Sequence, residues 1–475
     1  MPCYRIGKLS LRSIGLFISL ILIGIAGCSN EMKIPDSPVL LPDKFSKTGN
    51  GILPDKWWYS FDDRQLNELI EESLSNNFSI RSAWDRLTQA QQIAVKTGAS
   101  LLPEIDYKAG AKRTRQETGN LKTYSSDYSV GLVLSYEIDF WGRIKSSQQA
   151  ALLDAEATQE DIYAAAITLS SNVAKTWYQL AETKQKENIL SKQLGTNMNV
   201  LEIITSQFSK GQVGASDVYR QKQLVESTRG QLIQTQETIV LLQHQLSVLI
   251  GRRPDVWWPD DNIELVDLPA FPKTGLPVST IQNRPDVIKA LRNIQASDMR
   301  VAIAVVDQYP TISISSNLET SSNKIHDLFD DWLANLAGNA LGPVFDAGLR
   351  KAEVRRTKAV LSEKINDYGQ VILNAIQETE DAITQETYQK QYIDSLKEQL
   401  KLAEYVYERT QKNYIKGQVD YLRVLESLVS QQNLEISVLN SKRLLIDRRI
   451  DLYKAIAGSW NMQQPESAKV ENEKM

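Results

Sequence analysis

The sequence is poor in the side chains that most protein metal sites require. Of its 475 residues, two are histidine (His244 and His326) and two are cysteine (Cys3 and Cys28). Zinc and iron sites combine several imidazole or thiolate ligands. We therefore expect no metal site and no thiol redox chemistry.

The chain also lacks an excess of charge of either sign and the short motifs of common enzymes. Its 54 basic and 58 acidic side chains leave a formal charge of −4, which argues against a nucleic-acid partner. It contains no P-loop, no Gly-x-Ser-x-Gly elbow and no His-Glu-x-x-His pair. These absences predict a protein that is not an enzyme and that carries no cofactor.

Proline is missing from two long stretches, between Pro103 and Pro254 and between Pro343 and Pro465. Each stretch has room for a helical hairpin, because proline is the residue that most strongly interrupts helices. Apolar positions step by four and three, as in coiled coils. The positions are Ile162, Ala166, Leu169, Val173, Thr176 and Leu180 in the first stretch, and Leu361, Ile365, Tyr368, Ile372, Ala375, Thr379 and Ala382 in the second.

The hairpin arms differ in length. The first arms, 143–209 and 349–415, would each be about 100 Å long at 1.5 Å per residue, and the returning arms, 217–250 and 421–456, about half of that. Short opening helices at 65–100 and 280–307 would stack end to end on the returning arms. Glycines Gly211 and Gly417 suit the left-handed position after a helix end, and Ser216 and Asp420 suit the N-caps that follow.

The two halves of the chain repeat one another. Lys210-Gly211-Gln212-Val213 recurs at 416–419, Pro103 corresponds to Pro310, and Phe140-Trp141-Gly142-Arg143 corresponds to Phe345-Asp346-Ala347-Gly348. We predict an order of helix, strand, strand, helix, helix in each half. The divisions are an N-terminal segment 28–62, repeat 1 at 63–251, a linker at 252–278 in an equatorial region, repeat 2 at 279–460, and a polar tail 461–475.

Four strands are predicted, at about 103–116, 127–140, 310–319 and 332–344. The second alternates between an apolar, aromatic face and a small or polar face, as strands do. A sheet covering a soluble core shows the same pattern, but these lengths also suit tilted transmembrane strands. Since four strands cannot close a barrel and an open edge is not tolerated in lipid, the subunit would share its barrel with copies of itself.

The N-terminus has the features of a signal peptide at 1–27. Basic residues Arg5, Lys8 and Arg12 precede an apolar run of 14 residues from Ile14 to Gly27. An uncleaved anchor is the alternative, but this run is shorter than the roughly 20 residues that span a bilayer. The following Ile25-Ala26-Gly27-Cys28 resembles a bacterial lipobox, which implies lipidation at Cys28, and Ser29 then implies delivery to the outer membrane.

Several motifs, in this order, resemble the outer-membrane efflux lipoproteins of the NodT and OprM type, relatives of TolC. They are Tyr136-Glu137-Ile138-Asp139-Phe140-Trp141-Gly142-Arg143, Asn283-Arg284-Pro285-Asp286-Val287, Gly342-Pro343-Val344-Phe345-Asp346-Ala347-Gly348, Tyr414-Ile415-Lys416-Gly417, and Tyr421-Leu422-Arg423-Val424-Leu425-Glu426. The resemblance covers nearly all of the chain after the signal peptide.

This resemblance implies a mainly α fold with a β-barrel portion. Tandem repeats from a homotrimer would form a twelve-stranded outer-membrane β-barrel above a long periplasmic α-helical barrel. The implied function is an exit duct of a tripartite efflux system, through which cargo diffuses passively. Its implied partners are the lipid bilayer, a periplasmic membrane-fusion adaptor and an inner-membrane pump of the resistance-nodulation-division (RND) type.

The resemblance also implies site residues. A periplasmic gate would lie at Tyr414, Leu422, Arg423 and Glu426. Adaptor contacts would lie at the hairpin tips, at Gly211, Val213, Gly417 and Val419. Glu426 stands where the family commonly has aspartate, whereas Arg423 departs from members that have aspartate there. The alternative for Arg423 and Glu426 is a solvated helix face with a weak ion pair three residues apart.

The function also has an alternative, a periplasmic adaptor or coiled-coil spacer lipoprotein with no channel. Adaptors resemble this chain in lipidation and in having a helical hairpin. They carry a single hairpin between other modules, whereas this chain repeats its hairpin and adds strands. The duct is therefore the favoured prediction, and its cargo is not encoded in any motif.

Overall fold

The structure is a computed structural model that describes residues 39–40, 42–51, 56–119, 121–254, 263–274, 277–458, 460 and 462. The predicted signal peptide 1–27 and Cys28 lie outside the described residues. So do most of the predicted tail 461–475 and parts of the N-terminal segment 28–62 and the linker 252–278.

The two repeats have the same order of elements. Repeat 1 comprises α1 (Arg64–Asn76), α2 (Phe78–Ala99), β1 (Glu104–Thr118), β2 (Leu121–Ile138), α3 (Arg143–Ser209) and α4 (Ala215–Leu249). Repeat 2 comprises α5 (Pro277–Gln282), α6 (Pro285–Val306), β3 (Thr311–Ser322), β4 (Leu333–Leu341), α7 (Leu349–Ile415) and α8 (Tyr421–Ile456). Short 3-10 turns lie at Trp57–Phe61 and Ile325–Asp327. The predicted helix, strand, strand, helix, helix order is thus present twice, with each opening helix divided in two.

Each division of an opening helix has a local cause. Asn77 adopts an extended backbone, and its side-chain oxygen accepts a hydrogen bond from the Ser79 N–H (2.8 Å), so it ends α1 and caps α2. In repeat 2, Arg284 is extended because the ring of Pro285 disfavours a helical conformation in the preceding residue. We predicted one continuous opening helix in each repeat, at 65–100 and 280–307. That prediction was wrong, because each of these helices is divided in two.

The short helices stack end to end on the returning arms, as predicted. The Asn77 amide at the start of α2 donates to the carbonyl of Leu249, the last residue of α4 (3.0 Å). Arg284 at the start of α6 likewise donates to the Ala455 carbonyl near the end of α8 (2.9 Å). The long arms α3 and α7 have 67 residues each, about 100 Å of helix. Each is matched along its length by two shorter helices in series.

An aspartate fixes the start of each long arm. Asp139 accepts hydrogen bonds from the N–H groups of Ile144 and Lys145 (2.9 and 2.8 Å). Asp346 does the same for Gly348 and Arg350 (2.9 and 3.3 Å), and these bonds hold the pKa of its carboxyl below the usual value. Free N–H groups at a helix start favour a negative charge in this place. The repeated motif therefore encodes the turn from strand to helix.

The four strands form one antiparallel sheet in the order β1-β2-β3-β4. Strand β2 begins at Leu121 instead of 127, because it follows β1 to the end of their hairpin, where Thr118 pairs with Leu121. Strand β4 ends at Leu341 instead of 344. Within the described residues, β1 and β4 each have one long edge without a partner strand, and every residue of both is exposed.

The largest side chains are buried near the helix junctions, where Trp57 and Phe61 pack against Tyr453 and Phe61 also packs against Tyr178. Trp58 packs against Trp57. Among the described residues, no helix is both long and apolar enough to cross a bilayer.

The described part of the linker is also fixed to this region. Arg449 is 2% exposed and pairs with Glu386 (2.6 Å). Its guanidinium also donates to the carbonyls of Pro269 and Ala270 and lies over the ring of Phe271. Losing one member of such a buried pair typically costs about 3–5 kcal/mol. The described linker residues 269–271 are therefore fixed to α8 through Arg449, and the equatorial position of the linker stays a prediction.

Candidate functional site

The candidate site is the end of the molecule farthest from the sheet, where the two hairpins turn. Both turns have the same hydrogen bonds. Gln212 N–H donates to the Gln207 carbonyl (3.0 Å), and Gln418 N–H to the Asn413 carbonyl (2.9 Å). The glycine before each donor has a positive φ, 69° for Gly211 and 73° for Gly417. This Schellman geometry favours glycine, so the repeated Lys-Gly-Gln-Val encodes a repeated turn.

The returning helices are capped differently. Asp420 accepts a hydrogen bond from the Arg423 N–H (3.2 Å), as predicted for an N-cap. The prediction for Ser216 was wrong, because α4 begins at Ala215 and its N-cap is Gly214. Asp217 compensates, since its carboxylate accepts from the Gly214 N–H (3.4 Å).

The two turns pack against each other through an apolar group that we call the tip cluster. Its buried members are Ile204, Val218, Tyr421 and Val424, and its partly buried members include Val200, Leu201, Val213, Tyr407, Tyr414 and Leu425. The cluster joins α3 and α4 of the first hairpin to α7 and α8 of the second. The tip of one hairpin therefore cannot move away without exposing apolar surface of the other.

Two tyrosines of the second hairpin hydrogen-bond to glutamines of the first. Tyr414 Oη donates to Gln207 Oε1 (2.7 Å), and Tyr421 Oη donates to Gln221 Oε1 (2.5 Å). Their rings meet edge to face at 5.9 Å. Burial raises the pKa of both phenols above the ordinary value, so both remain protonated donors at neutral pH.

A buried amide network continues from Tyr421 into the bundle. Gln221 Nε2 donates to the Asn197 carbonyl (2.7 Å), and Gln432 Nε2 donates to Asn197 Oδ1 (3.0 Å). Asn197 Nδ2 in turn donates to Thr228 Oγ1 (3.0 Å). Gln221 and Asn197 are 0% exposed, so loss of a partner would leave a polar group without a hydrogen bond and without access to water.

Sequence reasoning missed this network. Its glutamines and asparagine are ordinary residues of a solvated helix face. The available signal is their position, because polar residues at the seam of a coiled coil are unusual and often set register.

The predicted gate residues fall into two groups. Tyr414 belongs to the tip cluster. Leu422 is half-buried, whereas Arg423 and Glu426 are exposed on the side of α8 that faces away from that cluster. Within the described part of the chain neither Arg423 nor Glu426 has an ion-pair partner, so the pair considered between them is not formed in the single chain.

The predicted adaptor-contact residues lie at the turns. Gly211 and Gly417 are exposed, and Val213 and Val419 are half-buried. Val213 packs on the tip cluster. All four residues are therefore at least partly accessible at the turns.

Long hairpins below an open-edged sheet, joined at their tips, define the fold of an outer-membrane channel subunit. The outer-membrane channel OprN is similar over 90% of this chain and 98% of its own, with a TM-score of 0.82 and 23% identity. The CmeC channel of Campylobacter jejuni is similar over 92% and 96%, also with a TM-score of 0.82 and 23% identity. Both likenesses concern the fold.

The sequence profile of the outer membrane efflux protein family matches residues 69–252 and 276–458, and the chain belongs to this family. It is 27% identical to the pyoverdine export outer membrane protein OpmQ of Pseudomonas aeruginosa, over 95% of this chain and 98% of that protein. It is 25% identical to the cation efflux system protein CusC of Escherichia coli K12, over 92% and 98%.

These matches confirm the predicted family, the channel fold and the function of an outer-membrane exit duct for efflux. The alternative of an adaptor or spacer is set aside. The family is one of channels, not of enzymes. The roles predicted for the gate and the tip residues stay predictions.

We predict that removing the Tyr421 hydroxyl loosens the tip more than removing that of Tyr414. Tyr421→Phe leaves the fully buried Gln221 without its donor. Tyr414→Phe affects Gln207, which is only half-buried. An unsatisfied buried amide costs about 1–3 kcal/mol, which corresponds to on the order of tenfold in a closed-to-open equilibrium. The measurement is open probability in planar bilayers.

Tyr405→Phe is the control, since this tyrosine lies on α7, the helix of Tyr414, and is 61% exposed. It should leave the open probability unchanged. If Tyr421→Phe and Tyr405→Phe had the same open probability, the Tyr421 hydrogen bond would not stabilise the closed tip.

Proposed function

We propose that three copies of the chain form one duct through the outer membrane, and that the tip cluster keeps its periplasmic end closed. The observation that carries this proposal is the pair of open sheet edges. One copy supplies four strands whose outer edges, on β1 and β4, have no partner in the described chain. In lipid every backbone N–H and C=O needs a partner. Pairing β1 of one copy with β4 of the next satisfies both edges, and three copies give twelve strands.

The two faces of the sheet support this arrangement. One face has large exposed apolar side chains, among them Ile105, Tyr107, Leu132 and Leu336, which are 64%, 85%, 49% and 78% exposed. The opposite face has Ser129, Ser135, Asn317 and their polar neighbours. An apolar exterior and a polar interior are what a membrane-spanning barrel with an aqueous lumen requires. The helices then extend about 100 Å from the sheet into the periplasm.

Leu422 and Glu426 form the constriction in this proposal. They are four residues apart, so they share a face of α8, and they are not used in packing the tip cluster. Threefold symmetry would bring three copies of each around the axis. Glu426 has no cationic partner within the described chain. The Glu426 carboxylates of the three copies would therefore form an acidic ring, and Arg423 lies three residues before Glu426 on the same helix.

Opening is proposed to follow contact with a periplasmic membrane-fusion adaptor at Gly211, Val213, Gly417 and Val419. An inner-membrane pump of the RND type would feed the duct. Because the tip cluster joins both hairpins, an adaptor that draws one turn outward would strain the Tyr414 and Tyr421 hydrogen bonds. The duct itself supplies no energy, and passage through it is passive.

The cargo does not follow from these similarities. Relatives at nearly equal identity are named for pyoverdine export, cation efflux and, in Pseudomonas putida, solvent efflux. Such different cargoes point to a permissive lumen, with selection by the pump.

The proposal includes lipid anchoring at Cys28. It is supported by 26% identity, over 95% of this chain, to a protein of Salmonella typhimurium named as the probable outer membrane lipoprotein SilC. Two acyl chains would hold the N-terminus firmly in the bilayer. Mass spectrometry of the mature protein should find an N-terminal, diacylated Cys28. A mature N-terminus that retains Gly27, or one without acyl mass, would refute the anchor.

We predict that Leu422→Ser combined with Glu426→Lys makes the closed tip leaky. The change removes an apolar side chain and replaces the three carboxylates beside Arg423 with ammonium groups, so the charges around the axis are then all positive and their repulsion favours separation of the tips. Single-channel conductance in planar bilayers should rise several-fold, and preference for cations should fall. Leu402→Ser with Glu404→Lys is the matched control, because both residues are exposed on α7 away from the tip cluster. Unchanged conductance in the first double variant would count against this gate.

A further inference from the structure

The hairpin of β1 and β2 continues beyond the four-stranded sheet. Strand β2 pairs with β3 from Tyr128 onward, where Tyr128 faces Ser322. Its pairing with β1 continues in the other direction to Thr118 and Leu121. Residues 112–118 and 121–127 are therefore a two-stranded extension, which we call the ribbon. It lies at the end of the sheet opposite the helices, which is the cell exterior in the proposed duct.

One face of the ribbon continues the apolar face of the sheet. On that face of β1, Ile105, Tyr107, Ala109 and Ala111 lie opposite Leu134, Leu132, Val130 and Tyr128 of β2. The next two residues on the same face are Arg113 and Arg115, opposite Ser126 and Tyr124. The lipid-facing surface thus changes directly from apolar and aromatic to strongly basic.

This basic cluster has a net positive charge. It consists of Arg113, Arg115 and Lys122 with one acidic residue, Glu117, which pairs with Arg115 (2.8 Å) and lies 3.6 Å from Lys122. Arg113 lies over the Tyr124 ring, 5.8 Å from its centroid. Among the described residues it has no carboxylate partner. With three cations and one anion, the cluster has an excess of positive charge that an anionic ligand could neutralise.

The height of the cluster matches a headgroup layer. At about 3.4 Å per residue, Arg113 lies roughly 7 Å beyond the row of Ala111 and Tyr128. Tyrosines commonly lie at the edge of the hydrocarbon layer. Guanidinium groups bind phosphate oxygens in pairs, and basic clusters at membrane surfaces bind anionic headgroups.

We propose that Arg113 and Arg115, with Lys122, bind the phosphates of the outer-leaflet glycolipid, lipid A. The site rests on the proposed function, because it requires the apolar face of the barrel to face lipid and the ribbon to face the exterior. A trimer would carry three such sites. Bound lipid would stabilise the ribbon, whose two strands pair only with each other among the described residues.

The test measures binding of bisphosphorylated lipid A to the purified full-length trimer in detergent, by native mass spectrometry. We expect wild type to retain lipid A, and Arg113→Gln with Arg115→Gln to bind on the order of tenfold more weakly. Lys108→Gln with Lys112→Gln is the matched control. It removes the same charge from the same strand, but from the opposite face. This control should retain lipid A as wild type does.

A second comparison needs no substitution. Wild-type trimer should retain bisphosphorylated lipid A several-fold better than dephosphorylated lipid A and better than phosphatidylglycerol. Equal retention of the three lipids, or equal loss in both double variants, would overturn the site. Failure of the proposed duct would be visible separately, because the wild-type protein would then not form an SDS-resistant trimer that dissociates on heating.

Discussion

Unpaired backbone at the two edges of the sheet is the constraint on which the architecture depends. A soluble protein can leave the edge strands of a sheet hydrogen-bonded to water, or protect them with charged side chains and short strands. The interior of a bilayer supplies no water to the edges of β1 and β4. A chain with four strands, an apolar outer face and open edges therefore requires copies of itself. Dividing the barrel among copies would also place the proposed gate residues once on each subunit, so a closed tip would share the symmetry of the barrel.

The internal repeat explains how one chain supplies two hairpins of strands and two long hairpins of helices. Each repeat contributes one hairpin of strands and one long hairpin of helices, and the helix junctions at Asn77 and Arg284 use different chemistry for the same purpose. At Asn77 the side-chain amide oxygen caps the next helix. At Arg284 no side chain caps the next helix, which begins with Pro285, and the guanidinium instead donates to the Ala455 carbonyl. The two hairpins have also diverged at the tip. The tyrosines lie on the second hairpin and their glutamine partners on the first, so the contact between the repeats at the tip is asymmetric.

Much of the fold was predictable because it depends on the spacing of apolar residues and on the places where proline and glycine interrupt a helix. The absence of proline between Pro103 and Pro254 predicted α3 and α4, and the repeated glycines predicted both turns. The start of β2 at Leu121 was missed because Lys122, Ser125 and Ser126 break the alternation there. A two-stranded ribbon outside the sheet needs no apolar face, so its pattern is weak.

The site was less predictable than the fold. Leu422, Arg423 and Glu426 were found through the family resemblance, whereas the network of Gln221, Asn197 and Gln432 went unnoticed. A glutamine on a helix shows its role only when its neighbours are known, since solvent and a buried partner satisfy the same amide.

Disulfide cross-linking between copies tests the shared barrel most directly. Ala109 of β1 and Ala334, Leu336, Gly338 and Ala340 of β4 lie on the same, outward face of the sheet. Cysteine at 109 would be combined with cysteine at each β4 position in turn, in membranes and under mild oxidation. Pairing of β1 with β4 between copies predicts covalent dimers and trimers on denaturing gels for one register, and none with either cysteine alone. Monomers at all four positions, in protein that is otherwise trimeric, would contradict the account.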